Sequence, residues 1–213
     1  MEITDFKREH IEKARRIAAR ALEAERGAVE VLPEVSVPLL DEFAENGLGV
    51  AAVDGGELVG YMCPDRPRAE FLGTEVSGVW SPLHANGVWF DKKLRRGEIF
   101  SRMYQAGAEK WLAAGAFYHS VTVYAHDEEL IGSLFDNNFG KRCIDAVCAC
   151  DASLARETEG VRELEPGESH KIRNLRRGLA RHMAASPCFM AEADESWYDE
   201  AERRVSRIFR PTV

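Results

Sequence analysis

Four of the five residues from Lys92 to Arg96 are basic, in a chain whose formal net charge is −8. They fall in DKKLRRGEIFSRMYQ, residues 91–105, just before a helical apolar spacing begins. The start of a helix is the positive end of its dipole, so cationic side chains there are mildly unfavourable. A bound anion removes the conflict: unpaired N–H groups point outward, and Arg95 or Arg96 adds charge-assisted hydrogen bonds. Phosphate is the natural guest, and a solvated basic turn is the plain alternative. The second stretch with chemical content is HSVTVYAHDEELIGSLFDNNFG, residues 119–140. Its first seven residues alternate, with Val121, Val123 and Ala125 on one face, which predicts a strand. From Asp127 the apolar residues Leu130, Ile131, Leu134 and Phe135 take helical spacing behind an acidic cap, and Asn-Asn-Phe-Gly ends the run.

The elements that would hold these segments can be read along the chain. Ile3 to Phe6 reads as a short strand, and residues 8–25 carry a helical stripe at Ile11, Ala14, Ile17, Ala18, Ala21 and Leu22. Residues 32–37 hold two prolines and predict a loop; 38–46 predict a short helix stopped by Gly47. GVAAVDGGELVGYMC, residues 49–63, predicts a hairpin, because glycines in Asp54-Gly55-Gly56-Glu57 supply the positive φ a tight turn needs. A strand is expected over 75–83, a polar and aromatic loop through HANGVWFDKKLRRG, a helix over 98–115 and a final strand over 141–147.

Residues 151–167 are polar and look like a boundary, giving units 1–152 and 153–213. Beyond it, Ile172, Leu175, Leu179 and Met183 mark one helix; Trp197, Ala201, Val205 and Ile208 mark another. At an offset of 158, ITDFKREHIEKARRI faces VRELEPGESHKIRNL, so the tail reads as the start of a second repeat or as a helical appendage. A tail completing its repeat on a partner chain would make a homodimer.

Composition narrows the classes. Hydrophobic content of 45% is enough for a real core. The acidic balance argues against nucleic-acid binding, which needs a basic field. Five cysteines, at 63, 143, 148, 150 and 188, form no disulfide framework, so a reducing, cytoplasmic setting is expected. Cys148 and Cys150 lack a second pair for zinc and read as small buried residues on a strand. No metal site is expected. MEITDFKREH has no apolar signal region, and no apolar run approaches ~18 residues, so neither export nor membrane spanning is expected.

In element order, and in the hairpin 54–61, the strand 75–83, RGEIFS (96–101) and residues 119–140, the chain resembles the GCN5-related N-acetyltransferase (GNAT) family over about residues 1–150. The resemblance implies a mixed-sheet α/β architecture, the acyl-CoA N-acyltransferase fold, carrying here a C-terminal helical extension. It implies acetyl-CoA as co-substrate, its pyrophosphate on the backbone of Arg96, Gly97, Glu98, Ile99, Phe100 and Ser101, with Arg95 nearby. Arg96 agrees with the family's loop, whereas Ile99 and Ser101 replace its small residues. The two central parallel strands, 75–83 and 119–125, would splay apart so that Ser81 and Leu83 meet the amide arm, and Asp127 and Phe135 would line the thioester end.

The implied reaction is direct attack of a primary amine, of a small molecule or peptide, on the thioester in a ternary complex. The family's usual Tyr acid falls on Leu134 or Phe135, neither of which donates a proton; Tyr124 could substitute, or the thiolate leaves unaided. Glu75 and His84, at the two ends of the fourth strand, are the base candidates, His84 having the titration range suited to an amine proton. A non-catalytic acyl-CoA-binding module on the same fold is the alternative.

Overall fold

The apolar residues of 50–63 fall alternately on two sides, and helices cover both sides. In the computed structural model, residues 1–32, 36–90, 94–149, 160, 162, 164–165, 168–185 and 195–208 are described. They fall into two units, one of residues 1–71, 75–140 and 144–147, the other of 72–74, 141–143 and 148–213.

The first unit runs β1 (Glu2–Asp5), α1 (Ile11–Ala28), α2 (Asp41–Glu45), β2 (Val50–Asp54), β3 (Glu57–Met62), β4 (Gly78–Ser81), β5 (Asn86–Val88), α3 (Arg96–Ala113), β6 (Tyr118–Val121) and α4 (Glu128–Asp136). One sheet has the order β1-β2-β3-β5, antiparallel throughout; β4 and β6 form a parallel pair. The β2–β3 turn places Gly55 at φ 56° and Gly56 at φ 83°, both left-handed as the hairpin requires. Along β2 and β3 the period of two sorts the core. Val50, Ala52 and Met62 join Phe100, Met103 and Trp111 of α3 and Leu130 and Leu134 of α4; Ala51, Tyr61 and Cys63 join Ala14, Ile17 and Ala18 of α1.

Three expected strands change. The strand over 75–83 shrinks to Gly78–Ser81, because Pro82 has no N–H to continue a ladder. The chain turns there, Ala85 N–H donating to the Pro82 carbonyl at 2.9 Å, and resumes as β5 against β3 inside what the sequence reads as loop. The strand over 119–125 ends at Val121. The strand over 141–147 is absent: residues 140–149 are described without regular structure, and Cys143 and Cys148 are exposed rather than buried. Alternation without a neighbouring edge to bond does not make a strand. Cys150 and Cys188 lie outside the described residues.

The second unit holds a 3₁₀ turn (Glu168–Ile172), α5 (Arg173–Ala185) and α6 (Glu195–Ile208). Arg173 reaches Glu195 at 2.8 Å, Asp199 at 2.7 Å and Glu202 at 3.0 Å, and Arg177 lies over the Tyr198 ring. Leu175 and Leu179, which mark α5 in the sequence, are exposed. The repeat's expected opening strand is not found among the described residues: Leu164 is in irregular backbone, and Val161 lies outside them. No helix among the described residues is long and apolar enough to cross a membrane.

Candidate functional site

The parallel pair β4–β6 is zipped from Gly78↔Tyr118 to Ser81↔Val121, and its last bond is Thr122 N–H to the Ser81 carbonyl at 3.0 Å. Beyond it the strands part. One arm, from Asn86, goes to β3; the other runs from Thr122 to His126. Among the described residues no backbone bond joins 83–90 to 123–126. Pro82 starts the divergence, and Asn86 fixes it. The buried Asn86 amide nitrogen lies 3.2 Å from Ser81 Oγ, 3.0 Å from the Pro82 carbonyl and 3.0 Å from the Thr122 carbonyl. A side chain thus does at the crotch of the fork what a ladder bond does elsewhere.

The arm tips carry a charged and aromatic cluster. Phe90 and His126 stack at 6.4 Å with 16° between ring planes. Arg96, at the start of α3, lies 4.0 Å above Phe90 and forks onto the two Asp127 oxygens, with a longer contact to Glu129 at 3.4 Å. Asp127 also accepts from Leu130 N–H, capping α4. Opposite, Glu25 of α1 is buried and pairs with His126 Nδ1. A carboxylate accepts, so Nδ1 carries the proton it donates, and Nε2 is buried with no partner. Tyr124 stands 5.9 Å from the His126 ring; burial, and then the Glu25 charge, raise its phenol above the ordinary value.

A groove of about 510 Å³ runs between α3 and α4, floored by Gly97, Ser101, Gly132 and Ser133. Gly97 fits the close approach of the two helices there, since a Cβ would come 3.1 Å from the Glu129 carbonyl oxygen, a tight contact. The groove's walls carry Glu98, Glu128, Glu129 and Asp136 against Arg102, a balance that attracts cations.

The expected site residues divide. Ser81 lies at the crotch, Leu83 in the adjoining turn, Tyr124 on one arm, and Arg96 and Asp127 at the tips as partners of each other. Gly97, Glu98 and Ser101 line the groove; Ser101 Oγ accepts from Asn137 at 2.7 Å. Ile99 and Phe100 point their side chains into the core, Arg95 is exposed and reaches Glu98 at 3.2 Å, and Phe135 is half exposed. His84 is half-buried beside Phe43, and burial depresses its imidazole pKa, with Asp65 opposing. Glu75 is exposed ahead of β4, at the other end from His84. Leu134 is in the core.

Glu25, Asn86, Phe90 and His126 were missed by sequence reasoning. One signal was available for Glu25: it continues the Ala14, Ile17, Ala18, Ala21 stripe, an acid on the face that packs inward. Its partner lies 101 residues away, which no local pattern reveals.

No protein-family model matches the chain, and no curated protein matches it at a significant level. Solved structures do. A tetramutant protein from Bacillus halodurans shares 16% identity over 71% of this chain and 99% of its own, with a TM-score of 0.50. A ribosomal-protein-alanine N-acetyltransferase from Brucella melitensis matches at 10% identity over 71% of this chain and 100% of its own, with a TM-score of 0.43. An aminoglycoside acetyltransferase from a soil metagenome matches at 15% identity over 71% and 98%, with a TM-score of 0.43. At 16% identity the likeness to the Bacillus halodurans structure shows a shared mixed α/β fold alone.

Proposed function

We propose that the first unit is an acyl-CoA-dependent N-acetyltransferase acting on a primary amine. The observation that carries this reading is the fork. Past Thr122 the two arms keep backbone N–H and C=O groups that no ladder consumes, and an extended amide-bearing chain such as pantetheine supplies the missing partners. Acetyl-CoA would lie with its amide arm between residues 83–90 and 122–126. Its pyrophosphate would meet the start of α3, where the backbone of Arg96 to Ser101 begins a helix and Arg95 is exposed. Ser81, Leu83, Asp127 and Phe135 are its further proposed contacts.

In the step itself, a neutral amine attacks the thioester carbonyl carbon, the C–N bond forms, the carbonyl oxygen is stabilised by an N–H of the 83–88 arm, and the C–S bond breaks to release CoA thiolate. Glu75 and His84 remain candidates to receive the amine proton, and Tyr124 to protonate the thiolate. Tyr124 is on one arm of the fork, and its raised pKa keeps it protonated as an acid must be. A relay through Cys63 is disfavoured: burial pushes its thiol well above its ordinary pKa, away from the nucleophilic thiolate.

A second reading, an acyl-CoA-binding module without turnover, is favoured by Leu134 filling the core where the family's Tyr would stand. Calorimetry with acetyl-CoA and a thiol-release assay over a panel of amines separate the two. Binding with turnover on at least one amine is expected. Binding alone favours the module, and no binding ends both.

A further inference from the structure

We infer that His126, oriented by Glu25, is the group that takes the proton from the acceptor's ammonium. This rests on the transferase reading above. The inference begins with Glu25, a carboxylate buried on the inward stripe of α1 and paired with His126. Burying an acid there gives α1 nothing that Ala or Leu would not, since an apolar side chain would extend the stripe without a desolvation cost. What Glu25 does provide is a fixed tautomer. It accepts the Nδ1–H of His126, so the lone pair is on Nε2, the arrangement in which an imidazole works as a base.

His126 has the position as well. It ends the 122–126 arm, and its ring stacks on Phe90 from the other arm, so the imidazole spans the space between the arms beyond the last ladder bond. Nε2 is withdrawn from water and has no partner, whereas a buried ring nitrogen ordinarily has one. An alkylammonium donor satisfies it. The groups around the imidazole are Glu25 from α1, Tyr124 and Asp127 from its own segment and Arg96 at the tip cluster, with Tyr61 of β3 behind Tyr124. Asp127 is already matched by Arg96, and Glu25 is the carboxylate paired with the imidazole.

The balance is complete without a further reactant. Nε2 takes one proton from R–NH₃⁺ and releases it to water; R–NH₂ forms the C–N bond with the acyl carbon as C–S breaks, and the proton shed by the acylated nitrogen goes to the departing thiolate.

Three variants are compared with wild type by thiol release across pH 5.5–9.5, each checked for a native thermal transition. H126Q and H126N both remove the base, and H126N keeps an N–H donor for Glu25. Each should lower kcat by about 100-fold at pH 7 while KM for acetyl-CoA stays within about 3-fold. Raising the pH until the amine is itself neutral should recover most of the loss. E25Q, which keeps an acceptor for Nδ1–H but loses the charge, should lower kcat by less than H126N does while KM for acetyl-CoA stays within about 3-fold. Nitrogen-15 spectra of wild type should show a protonated Nδ1 and a bare Nε2. Wild-type turnover that survives H126N within 3-fold, or the opposite tautomer, overturns this role and leaves the transferase reading standing. A wild-type protein that releases no thiol with any amine overturns the transferase reading, and this role falls with it.

Discussion

Arg96 carries its charge into the interior of the first unit, and Asp127 is the reason it can. The pair is forked and buried, with side chains 10% and 5% exposed. Breaking such a pair leaves one charge uncompensated, so R96A and D127N should each destabilise by about 3 kcal/mol in urea unfolding, whereas R96M/D127L together should cost markedly less. A residue that behaves differently is His119. Its Nε2 lies 3.1 Å from the Ala116 carbonyl, which only accepts, so Nε2 carries the proton and Nδ1 accepts from the Tyr104 hydroxyl at 3.1 Å. Both ring nitrogens are satisfied in the neutral form, and burial depresses the pKa below its ordinary value. A depressed histidine binds its proton in the unfolded chain first. Its stabilising contribution is therefore present above about pH 6.5 and declines as pH falls from there toward the lower folded value. Melting temperature should drop between pH 7.5 and 5.5, and H119Q should flatten that drop. Some slope will persist from His10 and His84, which burial moves the same way.

At the scale of elements, the close approach of β4 to its neighbours depends on Gly78. A Cβ there would stand 2.4 Å from the Phe71 ring and 2.6 Å from the Tyr118 carbonyl oxygen, which belongs to β6. G78A should cost about 2 kcal/mol by overpacking and should loosen the pairing on which the fork depends, read as a lower thermal midpoint with faster amide exchange at 118–122. What the sequence disclosed at this scale follows from what is local. The Gly55–Gly56 turn, the α1 stripe and the Asp127 cap are set by residues within a turn of each other, and all three stand where the spacing places them. Asn138 likewise takes a positive φ of 64° to end α4, letting Phe139 fold back on Tyr104. β5 escaped because three residues become a strand only through β3, some 26 residues earlier in register. The error at 141–147 has the converse cause, an alternating pattern with no edge beside it. The candidate site shares this limit: the basic cluster and Asp127 could be seen from spacing, but their mutual pairing, and that of Glu25 with His126, could not.

The whole molecule divides its stabilisation differently between its two units. The first has two apolar clusters on either side of its sheet. The second, as described, relies on the Arg173 and Arg177 side chains of α5 meeting Glu195, Asp199 and Glu202 of α6, with Leu175 and Leu179 left exposed. Exposed ion-pair networks are weakened by salt while apolar burial is not. In circular dichroism, R173A should therefore lose helical signal in a low-temperature transition that wild type also shows in 1 M salt, with the main transition unmoved. The fork shows a further economy in the first unit. Because the angle between its arms is held by one carboxamide, its aperture is adjustable by a single codon: Gln at position 86 adds one methylene to the strut, and Asp exchanges a donor for an anion facing two carbonyls. The width of the gap can thus diverge among descendants with no rearrangement of the surrounding layers.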